Sequence, residues 1–209
     1  MVRRTKEEAA ATHDSILDAA EKLFVEQGVS RTTLQHIATE AGVTRGAIYW
    51  HFDDKAALFN AMMERAILPL ESAMALLDQT DAADPLQDLR EYMLAGLRVT
   101  VEDPQARRVF EISTLKMEYV EELDAVRVRR QQSFEAWMTR AEGRIRLAQK
   151  RGQVKPSVTP RAAAIGMWVL VDGLIRNWLF DPSAFDLLAV GTEVIGGHID
   201  GLRTPQPDH

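Results

Sequence analysis

The sequence predicts an all-α protein: an N-terminal three-helix helix-turn-helix domain followed by a larger helical body, about nine helices in all. Two observations carry this. Apolar residues recur at helical spacing through nearly every segment, and no stretch combines period-two alternation with hairpin turn residues. The punctuation is also that of helix ends, with glycine after a last apolar residue and Thr or Asp before a proline.

Taken in order, the first helix is expected from Lys6 to Gln27. Ile16, Leu17, Ala20, Leu23 and Phe24 form its apolar face, and Gly28 supplies the left-handed stop. A second helix opens after Thr32 or Thr33, both good caps, and ends near Ala41 with Gly42 following. A third opens after Thr44 and runs to about His51. Asp53 or Asp54 caps a fourth, which carries Leu58, Met62, Ile67 and Leu70 toward Leu77. Beyond it, Asp84-Pro85, Asp103-Pro104 and Thr159-Pro160 each set a capping side chain before a proline, so helices are expected to start near 85, 104 and 160. A long helix lies near 120 to 151 and stops at Gly152. Asp181-Pro182 separates the helix near 160 to 180 from a last one near 185 to 203. The tail from Thr204 reads as frayed. The domain boundary is expected at 55/56, with residues 1–55 as the head and 56–209 as the body.

Bulk properties narrow the function. The 209 residues suffice for a real core, and 46% hydrophobic with 27% charged is globular composition, not that of a disordered chain. No apolar run reaches the roughly 18 residues of a membrane span, so no membrane partner is expected. The absence of cysteine removes disulfides, thiol nucleophiles and thiolate metal sites, and fits a reducing cytoplasm. A net charge of −6 excludes a protein that coats nucleic acid by bulk charge. A sequence-specific reader needs only a local basic surface. Within 29–51, Arg31, His36, Arg45 and His51 meet one acid, Glu40, and Arg3, Arg4 and Lys6 form a short basic arm.

The string from Thr32 to Phe59 has the logic of two short helices crossing over a tight turn. Leu34, Ile37, Ala38 and Ala41 give the second helix one apolar face, and small Ala38 allows close approach. Val43 plugs the junction, and Ile48 and Phe52 tie the third helix to the core. That helix is too short to be stable alone. Its other face carries Arg45, Gly46, Tyr49, Trp50 and His51, a costly surface unless something covers it. The DNA major groove is a suitable cover. Arg45 can bond guanine O6 and N7 in bidentate fashion, and Gly46 lets the helix end approach closely. Tyr49 and His51 can reach phosphates. Thr33, Thr44 and Lys55 each stand at a helix start, where hydroxyl or ammonium and helix end together attract a phosphate.

This string closely resembles the signature of the TetR family of repressors, over about the first 60 residues. The opening MVRRTKEEA, the run AGVTRGAIYWHF and VDGLIRNWLF at 171–180 are similar to the multidrug efflux-pump branch of that family. The resemblance implies DNA contacts on Thr33, Thr44, Arg45, Gly46, Tyr49, His51 and Lys55. It implies a homodimer joined by the last two long helices, with operator double-stranded DNA and a small apolar or aromatic inducer as partners. The apolar run AAAIGMWVLVDGLIRNWLF and the small residues Ala162, Ala163, Gly166, Gly196 and Gly197 are compatible with close helix packing there.

Asp172 is the acid within that apolar run, with Arg176 one turn on. The pair is either a self-satisfied i,i+4 pair or the polar element of an apolar ligand cavity. Tyr92, Met93, Phe110, Glu111, Phe134, Trp137, Met138, Trp168 and Ile175 are either core or further lining of that cavity, where methionines would repack around varied ligands. Phe110 and Thr114 stand where the resemblance implies polar hydrogen-bonding residues, a departure that bears on which ligands fit. An enzyme is the rival class. The sequence has no HExxH, phosphate loop or Gly-x-Ser-x-Gly, and its histidines (13, 36, 51, 198, 209) are scattered, so no catalytic residue, cofactor or metal is expected.

Overall fold

A computed structural model describes residues 6–78, 83–118 and 120–205. Among these, ten α-helices occur: α1 Lys6–Gln27, α2 Leu34–Glu40, α3 Arg45–His51, α4 Lys55–Ile67, α5 Glu71–Leu76, α6 Pro85–Glu102, α7 Pro104–Leu115, α8 Asp124–Lys150, α9 Pro160–Phe180 and α10 Leu187–Leu202. The fold is helical as expected, with one helix more. The expected fourth helix is two helices, because a 3₁₀ turn at Leu68–Leu70 interrupts it. Pro69 sits in that turn, where it removes a backbone donor and crowds the preceding turn.

Of the caps expected from the sequence, all but Thr159 form side-chain bonds. Thr33, not Thr32, caps α2: its hydroxyl accepts from the His36 N–H at 3.2 Å, and the His36 ring accepts from the Thr33 N–H. Thr32 is buried and donates its hydroxyl to the Gly28 carbonyl. Asp54, not Asp53, accepts from the Ala57 N–H at 2.7 Å. Asp84 and Asp103 cap α6 and α7 as expected. Thr159 makes no side-chain cap bond, so α9 starts on the preset backbone of Pro160 alone. Gly28 and Gly42 hold φ values of +84° and +66°, which let the chain leave α1 and α2 sharply. A second 3₁₀ turn, Glu121–Leu123, precedes α8, so the long helix begins later than expected. The chain beyond α10 is tied down at first: Arg203 pairs with Val154, and the Thr204 N–H donates to the Gln153 carbonyl. Residues 206–209, with Arg3 and Arg4 of the basic arm, lie outside the described residues.

The chain divides into two compact units, Met1–Ala66 with Arg108–Gln131, and Ile67–Arg107 with Gln132–His209. This differs from the expected boundary at 55/56. α4 stays with the head because its apolar face completes the head's core. Ile16, Leu17, Phe24, Ile37, Ile48, Leu58, Phe59 and Met62 are all fully buried there, and the Phe24 and Phe59 rings lie 6.2 Å apart. Each such side chain contributes about 1.5–3 kcal/mol of burial. Ion pairs reinforce the helices. Glu21, buried on α1, holds Arg65 of α4 at 2.5 Å and faces Arg108 of α7 at 3.6 Å.

In the second unit, α10 packs on α6 and α9. Leu86, Leu89, Met93 and Leu97 of α6 are buried in its core. Gly191 of α10 faces Leu97 so closely that a Cβ there would lie 2.2 Å from Leu97 Cδ1. Arg144 of α8 is buried beside Asp88 of α6 at 3.1 Å, and the Arg107 guanidinium covers the Trp178 ring at 4.5 Å.

Candidate nucleic-acid interface and ligand body

The reading helix is fixed from one side and open on the other. Ile48 of α3 is fully buried, and Phe52 behind it nearly so. Thr44 caps the helix by accepting from the Ala47 N–H at 3.2 Å. On the outer face Arg45, Gly46 and Tyr49 are exposed, and Trp50 is 71% exposed. The Arg45 guanidinium lies over the Tyr49 ring, 5.6 Å from its centroid. Such stacking steadies a flexible cation without neutralising it. Thr33 and Thr44 are exposed at their helix starts. Each oxygen accepts a cap bond while its own proton stays available to a phosphate.

Two expected contacts are placed differently. His51 is half-buried. Its ring meets Trp50 edge-on at 4.5 Å and lies 5.8 Å from His13 of α1, with Nε2 buried. A phosphate reaches Nε2 only if the ring turns. Lys55 corrects the expectation more strongly. Its side chain is 3% exposed, and its ammonium donates to the carbonyls of Val29 and Thr32, both at 3.1 Å, and pairs with Glu122 at 2.8 Å. The ammonium that was expected to meet a phosphate is spent inside the head. Glu122 lies far along the chain, and no local signal in the sequence links it to Lys55.

In the second unit the expected ligand residues form a partial cluster. Met93, Trp137 and Met138 are buried, while Tyr92, Phe134, Trp168, Asp172 and Ile175 are half-buried and Arg176 is exposed. The Trp168 ring lies 5.2 Å from Phe134 and 5.7 Å from Trp137. Burial raises the Tyr92 phenol above its ordinary pKa, and the nearby charge of Arg140 opposes this. Arg140 and the buried Arg144 are polar features of this unit that sequence reading missed. Phe110 and Glu111 are half-buried but belong to the first unit.

α9 also corrects the expectation that no apolar run is long enough for a membrane. By length and composition it is, and only 28% of its most apolar stretch is buried. Its open side and that of α10 are apolar: Val169 is 59% exposed, and Ile165 and Val194 are also exposed. Val169, Leu174, Asn177, Phe185, Val190 and Val194 line an open groove of ≈ 350 Å³ between the two helices, and none of the expected ligand residues contributes to it.

A capped, core-anchored short helix with an outward Arg and aromatics, behind a second helix and a tight glycine turn, defines a helix-turn-helix DNA-binding regulator. The chain belongs to the TetR family of bacterial regulatory proteins. Residues 16–62 match the family's N-terminal model, and residues 84–203 match the C-terminal region of MAATS-type transcriptional repressors. It is 38% identical to the transcriptional regulator TtgR of Pseudomonas putida, over 97% of both chains. It is similar to the crystal structure of NalD, the secondary repressor of the MexAB-OprM multidrug efflux pump in Pseudomonas aeruginosa. The TM-score is 0.87 at 35% identity, covering 95% of this chain and 98% of NalD. The SmeT–triclosan complex matches at a TM-score of 0.82 and 30% identity, over 95% of this chain and 99% of that one. SmeT is the repressor of the Stenotrophomonas maltophilia pump SmeDEF. The chain is thus a transcriptional regulator and not an enzyme.

Proposed function

We propose that the chain is a homodimeric repressor that binds a pseudo-palindromic operator with α3 in the major groove and is released by an apolar or aromatic compound. The carrying observation is the outer face of α3. Arg45, Tyr49 and Trp50 stand open to solvent on a helix anchored from its inner side by the fully buried Ile48. Exposing two aromatics beside an arginine is unfavourable in water and favourable against base edges and sugar-phosphate. Arg45 reads a base, Gly46 lets the helix end approach, Tyr49 packs against sugar or a thymine methyl, and Thr33 and Thr44 donate to phosphates.

One such helix reads too few base pairs, so two copies are needed, with recognition helices about 34–36 Å apart. The apolar open face of α9 and α10 supports a second copy as its cover. Asp172, Arg176 and Asn177 on α9 argue against lipid, because polar groups at membrane depth are costly. A regulator of this kind works where the DNA is, in the cytoplasm. The aromatic cluster of Phe134, Trp137 and Trp168, with Tyr92, Met93, Met138, Asp172, Ile175 and Arg176, is the proposed ligand body. A compound there favours a dimer geometry that no longer matches the groove repeat, to the extent of its differential affinity. By analogy with NalD and SmeT, an efflux-pump operon is the proposed target.

The test is binding to duplex DNA from the promoter beside the chain's own gene, with and without triclosan and a panel of aromatic compounds. Saturating ligand should weaken operator binding about 5- to 150-fold. Tight operator binding that no compound alters would leave a repressor without small-molecule sensing.

A further inference from the structure

The burial of Lys55 raises the question of what its ammonium does. It sits at the first position of α4 and gathers three oxygens from two parts of the head. Two are carbonyls of the α1–α2 turn, Val29 and Thr32. The third is the carboxylate of Glu122 in the connection between α7 and α8. That connection touches the same turn again. The Val29 N–H donates to the Lys116 carbonyl at 3.2 Å, and the Ser30 hydroxyl donates to Glu118 at 3.4 Å. A Cβ on Gly28 would lie 3.5 Å from the Lys116 oxygen, so the two strands of chain are in contact there. The next residue, Thr33, is the cap of α2. α4 is held at its far end too, where Glu64 pairs with Arg129 and Arg65 shares Glu21 with Arg108.

We propose that Lys55 and Glu122 form a latch through which the α7–α8 connection positions the α1–α2 turn, and with it the helix-turn-helix, so that neither residue contacts DNA. The proposal rests on the operator-binding reading given above. The physical ground is charge balance. A buried ammonium with two carbonyls is only partly compensated, and Glu122 supplies the full countercharge among its contacts. Glu122 itself is 58% exposed, so its contribution can be removed without opening the core. With the carboxylate gone, the ammonium turns toward water, and the turn it gathers loses its anchor.

The sign of the effect separates the latch from plain electrostatics. Removing an acid from a DNA-binding unit normally tightens binding, because repulsion of phosphate falls. The latch predicts the reverse. Glu122→Gln should weaken operator binding about five- to tenfold with an unchanged salt slope and unchanged affinity for non-specific duplex. Lys55→Gln should weaken operator binding with the slope also kept, whereas loss of a phosphate contact lowers the slope by about one. Binding is measured at a temperature where thermal melts find each variant folded, and Glu122→Gln carries the test should Lys55→Gln not fold. Equal or tighter operator binding by Glu122→Gln overturns the latch alone, as does a lowered slope in Lys55→Gln. A wild-type chain that binds no duplex overturns the operator-binding reading and the latch with it.

Discussion

At the scale of single residues, the reading head separates two cations that look alike in sequence. Arg45 and Lys55 both flank short helices in a weakly basic stretch. Arg45 is exposed and stacked on Tyr49, while Lys55 is enclosed by carbonyls and a carboxylate. The stack holds the guanidinium on the open face of α3, and the proposed bidentate contact needs such placement. Arg45→Ala should cost about 1–3 kcal/mol of discrimination at one base pair of each half-site while leaving the fold intact. Competition between the operator and a duplex changed at that base pair measures it. Equal preference by variant and wild type would show that Arg45 touches only the backbone.

At the scale of elements, close approach and caps decide the second unit. α10 lies against α6 where Gly191 meets Leu97, so that a methyl there would have to displace the Cδ1 end of the fully buried Leu97. Gly191→Ala should destabilise the protein by about 1–3 kcal/mol through overpacking, in spite of alanine's better helix propensity. Urea unfolding with an unchanged slope would check it. The end of α10 is strapped to the start of α6 by Arg203 and Asp84, 2.7 Å apart. Partial burial raises the Asp84 carboxyl, but the Arg203 guanidinium and the N–H groups of Gln87 and Leu86 outweigh this and hold it below its ordinary value. A depressed folded value means the strap contributes above the ordinary carboxylate range and is lost as pH falls through that lower value. Asp84→Asn should therefore lower thermal stability at neutral pH and flatten its decline in acid.

For the molecule as a whole, the open apolar side of α9 and α10 matters most. Ile165, Val169 and Val194 face outward there, and Phe180 ends α9 82% exposed. Single exposed apolar residues are ordinary, but a contiguous set marks an interface. Val169→Asp should turn the dimer into a monomer by sedimentation and weaken operator binding steeply, since half-site contacts would no longer act together. A dimer that survives the change would place the interface elsewhere. The proposed ligand release belongs to the same scale, because in that proposal a compound alters the spacing of two heads.

The sequence by itself determined the helical class, the helix-turn-helix and most helix ends. These depend on residues a few positions apart: Thr33 with His36, Asp84 with Gln87, and Gly28 and Gly42 at positive φ. Family membership was legible for the same reason, since the motif is one continuous string. Only the tertiary structure decided where α4 belongs, that segment 108–131 joins the head, and that Lys55 points inward. Those outcomes depend on partners far apart in the chain, Glu122 for Lys55 and Arg108 for Glu21, and local periodicity carries no information about them. The proposed ligand body lies between these extremes. Its aromatic residues could be named from the sequence, but which of them stack together was decided by how α8 packs on α9.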